Sequence, residues 1–190
     1  MRTALLGFSL VLLSRAAAGQ SGGLPPEWEI RKDITTLVEH VEAFKPILAK
    51  VTPQQWESAP AAYAEQGKRI DAEIDYLITT SKALAERPDG LTNALTTYFR
   101  LQSLDLMLRS YADGIRKYQN AALAELLLGA VSTAAADREK LQQYVIDLAA
   151  DKEAQFRVID EEAQRCRGQI ARQPQSVQRP PARTKTEEKK

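Results

Sequence analysis

Between Pro60 and Arg87 the seam residues fall at alternating intervals of four and three: Tyr63, Gly67, Ile70, Ile74, Leu77, Ser81 and Leu84. A repeat averaging about 3.5 residues keeps one face of a helix turned toward a neighbour along its whole length. The segment is therefore a helix that needs a partner, and the small residues Gly67 and Ser81 let that partner approach closely at two levels. The seam closes either within the chain or between subunits. No strand is legible, because no stretch alternates apolar and polar residues, and no internal repeat of fixed period occurs. Composition agrees, being rich in Ala, Leu, Glu, Gln, Lys and Arg, which lose least on entering a helix.

The remaining segments follow the same rule. A first helix starts near Glu27 and carries a stripe of Ile34, Leu37, Val38, Val41, Phe44, Ile47, Leu48 and Val51. Pro46 lies inside it, and its ring clashes with the carbonyl of Glu42, so a kink is expected without loss of phase. Thr52-Pro53-Gln54-Gln55 resembles a capping box opening a short helical piece that carries Trp56. Arg87-Pro88-Asp89-Gly90 is a stop and a turn, which makes the seam helix and the next, Leu91 to Tyr118, an antiparallel hairpin. That next helix has two apolar sides, one with Leu101, Leu104, Leu108, Tyr111, Ile115 and Tyr118 and one with Leu91, Leu95, Phe99 and Leu106, which predicts a central position. Asn120 caps a short apolar helix through Val131, Gly129 to Ala136 reads as a weak joint, and a last helix runs from Asp137 to Ile170 with Lys152 interrupting its apolar face. That last helix, at about 50 Å, outreaches the hairpin helices at about 40 Å, so its end is expected to project. The fold class is all-α: an up-and-down antiparallel bundle of four principal helices plus short helical segments.

The two ends of the chain differ from this body. Met1 to Gly19 reads as an export signal, with Arg2, an apolar run from Ala4 to Leu13 and the small residues Ala16-Ala17-Ala18 before the cleavage position. About ten apolar residues reach only about 15 Å, too short for a membrane span, and no later stretch is long and apolar enough for one. Residues 20–26 form a flexible leader, 27–171 the bundle domain, and 172–190 a disordered basic tail. The formal net charge of +1 hides a division, because residues 165–190 hold eight Arg or Lys against two Glu and leave residues 20–164 at −7. The tail is thus a candidate for contact with an anionic surface, or a solubilising extension. The expected location is outside the cytoplasm, periplasmic or secreted.

Chemistry is constrained chiefly by scarcity. His40 is the sole histidine, placed beside the first apolar stripe among acidic neighbours, so histidine-dependent triads have one position to use. No metal-ligating His or Cys spacing, no glycine-rich phosphate loop and no nucleic-acid motif is present. No cofactor is implied. Asp71, Glu73 and Asp75 cluster within one helix turn, as do Asp160, Glu161 and Glu162; both read as solvated faces, with a weak divalent-cation site at the first as the alternative. Arg100, Asp105 and Arg109 punctuate the most apolar helix and either occupy its exposed edge or line an interior groove. Cys166, the only cysteine, sits on the last helix's apolar face between Arg165 and Arg167. It reads as a small buried hydrophobe, with an intermolecular disulfide or a reactive thiol as the alternative. The leading expectation is a non-enzymatic structural or interaction protein, binding a protein partner or itself through helix faces. A small-ligand-binding bundle is the alternative, and a carboxylate-dependent enzyme a weaker one.

Overall fold

The computed structural model describes residues 23–172, of which the helices are α1 (Glu27–Glu42), α2 (Phe44–Leu48), α3 (Pro60–Glu86), α4 (Leu91–Tyr118) and α5 (Ala121–Arg172), with a single 3-10 turn at Pro53–Gln55. The signal reading of Met1 to Gly19 and the tail beyond Arg172 lie outside the described residues. Successive long helices run in opposite directions, and α1 packs against α3, α3 against α4, α4 against α5, and α5 back against α1. The result is a closed up-and-down ring of four helices, as the sequence pattern predicts. No strand occurs among the described residues.

The heptad seam of α3 faces the interior. Ile70, Ile74, Leu77, Ser81 and Leu84 are completely buried, so the seam is closed by the chain's own helices. They meet Leu101, Leu104, Leu108 and Ile115 of α4, Leu127, Val131 and Leu148 of α5, and Leu37, Val41 and Phe44 of α1 and α2 in one continuous core. Both small seam residues serve close approach: a Cβ built on Gly67 would lie 2.9 Å from the Tyr111 hydroxyl of α4, and Ser81 has no exposed surface.

Local chemistry explains where the helices stop. The break in the first helix lies at Ala43, just before Pro46, and because Ala43 keeps right-handed helical angles the stripe continues in phase through Val41, Phe44 and Ile47. The Thr52 side chain does not cap the backbone; it contacts Gln55 Oε1 at 3.5 Å, and the expected helical piece shrinks to three residues with Trp56 just beyond. Gly90 N–H closes the Arg87 turn at 3.1 Å, and the Asn120 carboxamide oxygen caps α5 by accepting from Ala122 N–H at 2.8 Å and Leu123 N–H at 3.3 Å.

The joint expected at Gly129 to Ala136 is absent, and α5 runs unbroken for 52 residues, about 78 Å at the usual helical rise. Two effects override the weak local signals there. The run is alanine-rich, which favours helix, and Val131 and Ala134 are buried against the bundle. Ser132 and Thr133 direct their hydroxyls onto the carbonyls of Leu128 and Gly129 and leave the helix intact. The second apolar side of α4 is also revised, since Phe99 and Leu106 are 59% and 64% exposed and only Leu91 and Leu95 pack partly against the core. Residues 23–26 precede α1 without regular structure, yet Leu24 packs against the core.

Candidate interaction surface

Helix α5 leaves the bundle at a defined level. Tyr144 donates its phenol to the Pro88 carbonyl, Leu148 is fully buried, and the Lys152 ammonium lies 4.0 Å from Asp89 in the α3–α4 turn. Beyond Ala154 every residue but Ala163 is exposed, so residues 153–172 extend about 30 Å past the end of the bundle. The projection expected from helix length is therefore realised, and on a larger scale.

The free half keeps an apolar stripe. Phe156, Ile159, Ala163, Cys166 and Ile170 succeed one another at intervals of three, four, three and four, the same repeat that α3 buries. Phe156 is 70%, Ile159 60% and Ile170 64% exposed. Charged residues edge this stripe, with Asp160 and Arg167 on one side and Glu162 on the other. Cys166 is exposed, contrary to its reading as a buried residue, because the face it occupies outlasts the helices that would cover it.

Asp105 and Arg109 pair with each other, and Arg100 stands apart from them. Arg100 turns toward α3, where one guanidinium nitrogen donates to both carboxylate oxygens of Glu73 at 2.9 and 3.0 Å while the group stacks 3.6 Å from the Tyr76 ring centre. Asp105 turns toward α5, accepting from Arg109 at 2.8 and 3.2 Å and facing Arg138 at 3.4 Å. Its hydrogen bond raises the Arg109 pKa above the ordinary value. The cavity beside Asp105 and Arg138 is about 10 Å³, and a second, between Ile34 of α1 and Leu141 of α5, about 30 Å³. Those volumes hold a water or two, against the several hundred Å³ of an ordinary ligand pocket. A larger concavity, about 560 Å³, is lined only by α5 residues between Asp160 and Arg172 and has no opposing wall.

The acidic cluster on α3 is likewise divided. Glu73 belongs to Arg100, while Asp75 accepts from Lys45 at 2.6 Å, a bond that raises the lysine pKa. Asp71 has its pKa raised, first by burial and then by the charge of Asp75. No group of three or more potential metal ligands occurs among the described residues.

One pairing is not legible from the sequence, although His40 itself stands out there as the sole histidine. His40 Nδ1 lies 2.6 Å from Asp137 Oδ2, joining α1 to α5 across 97 positions of sequence, and Asp137 is only 7% exposed. The only available hint is that Asp137 falls on the α5 core face, four residues before Leu141. A second lock closes the end of the bundle where α3 begins and α4 stops: Trp56 packs edge-on to Tyr63 at 4.7 Å and stacks on Tyr118 at 5.8 Å. Gln119 ties this cluster to the preceding loop, accepting from Thr52 N–H and Trp56 Nε1–H and donating to the Lys50 carbonyl at 2.8 Å. Both constellations hold helices together.

The described fold is thus a four-helix up-and-down bundle with an overhanging last helix. No family model, curated protein or solved structure matches this chain. No helix among the described residues is long and apolar enough to cross a membrane.

Proposed function

We propose that this is an exported, non-enzymatic interaction protein whose working surface is the free half of α5. The observation that carries the reading is the contrast within one helix. Residues 121–148 bury their apolar face in the bundle, whereas Phe156, Ile159 and Ile170 continue that face into solvent at 60–70% exposure. Clustered exposed apolar residues on an ordered element are characteristic of contact surfaces. Export rests on the Met1 to Gly19 pattern, and the basic residues after Arg165 supply a second means of approach to anionic envelope components.

Two measurements test the reading. N-terminal sequencing of the protein made in its own cells should find a chain starting after Ala18 or Gly19; an intact Met1 on the bulk of the protein contradicts export. Affinity recovery from the envelope fraction should yield associated protein with the natural chain and lose it with Ile159→Asp. Equal recovery from both overturns the assignment of the surface to α5.

A further inference from the structure

We infer that the occupant of the free α5 half is the same segment of a second copy of this chain, laid antiparallel. The inference rests on the interaction reading above and specifies the partner. Three observations lead to it.

The first is direction. Eleven and eighteen residues are close to three and five whole helical turns, so Ile159 and Cys166 stand directly above the fully buried Leu148. The free stripe is a continuation of the core-facing stripe. A parallel partner helix seated on it would, one or two turns lower, run into the space filled by the protein's own α1 and α4. An antiparallel partner enters from the open end and keeps its own bundle at the far end, which the roughly 30 Å overhang leaves room for.

The second is period. A stripe spaced three, four, three, four suits a second helix of the same repeat better than a flat surface. Antiparallel heptad pairing sets Ala163 against the partner copy's Cys166 and Ile159 against its Ile170, giving four apolar layers by symmetry. In that register Arg172 comes level with Arg157 of the other copy, short of the other bundle.

The third is charge. The same register brings Asp160 beside Arg167 of the other copy, twice by symmetry. Sliding by one heptad sets Asp160 against Asp160 and Glu162 against Glu162, so charge selects the first alignment. Four layers make a small interface, and the expected dimer is concentration-dependent.

Light scattering on the eluting full chain over a concentration series should show monomer passing to dimer. Ile159→Asp and Arg167→Asp should each hold the protein monomeric with the helical content and melting of the body unchanged, and Asp160→Lys combined with Arg167→Asp should restore the dimer. Restoration is specific to antiparallel pairing, because a parallel pair would set Arg167 against Glu162 and the double exchange would leave it repulsive. Failure of the double exchange to restore, or a dimer indifferent to Ile159→Asp, overturns the inference. A monomer at all concentrations overturns it too. If Ile159→Asp then still abolishes recovery of envelope protein, self-pairing falls alone; if it changes nothing, the interaction reading falls with it.

Discussion

Gly114 shows how closely single atoms govern the packing of this bundle. A Cβ placed there would lie 2.6 Å from the Tyr63 ring and 3.1 Å from Trp56, within the aromatic lock. Gly→Ala in a helix ordinarily gains up to about 1 kcal/mol, but overpacking a filled site costs about 1–3 kcal/mol, so Gly114→Ala should destabilise on balance. Gly129 has open space around its Cβ position, and Gly129→Ala should stabilise by about 0.5–1 kcal/mol. Urea unfolding of the two variants should move in opposite directions. His40→Ala leaves the Asp137 carboxylate buried without its partner, for an expected loss of about 1–3 kcal/mol in the same measurement. Alkali tests a fourth site. Burial, and then the charge of Asp71, push the Tyr111 phenol up to about 12, and burial raises that of Tyr144. The folded state then keeps protons that the unfolded chain loses near pH 10, so stability is full below about pH 10 and falls as pH rises toward 12. Tyr111→Phe should flatten that decline; an unchanged alkaline slope would show that the phenol titrates alike in both states. None of these residue pairs was legible beforehand. Helical period places a residue on a face, but pairing His40 with Asp137 or Gly114 with Tyr63 requires the relative height of two helices, which loops and packing determine.

Among the elements, the existence and direction of α3 and α4 were legible because their signals are local: an uninterrupted 3.5 repeat, then a Pro-Asp-Gly turn, then a second apolar helix. The start of α5 departs from the local pattern because weak signals at Gly129 and Ser132 yield to burial on the bundle. Lys152 was legible as an interruption of the stripe, and the fold supplies its meaning: it marks the level at which α5 passes Asp89 and leaves its neighbours. Residues 155–172 are exposed apart from Ala163, so ending the chain at Glu153 should leave the unfolding free energy of the bundle in urea within about 0.5 kcal/mol of the full chain. A large loss would place part of the folding core in the overhang. Arg100, Asp105 and Arg109 divide by reach: the i, i+4 spacing pairs Asp105 with Arg109 on α4 itself, as spacing along one helix implies, whereas the partners Glu73 of α3 for Arg100 and Arg138 of α5 for Asp105 depend on how the helices are rotated against one another.

For the whole molecule, the four helices satisfy one another except along the overhang, where a repeat of the same kind as the internal seam lacks a facing helix among the described residues. Antiparallel pairing would complete it and hold two acidic bundles about 35 Å apart at opposite ends of a short two-helix bridge. The most direct test uses the single natural cysteine. With Ala163→Cys, mild oxidation of the dimer should join position 163 of one copy to Cys166 of the other, identified by peptide mapping, while the natural chain, whose two Cys166 side chains fall in different layers, should crosslink poorly. A natural chain that crosslinks readily through Cys166 to Cys166, or an Ala163→Cys chain that yields no linkage between positions 163 and 166, would contradict the account.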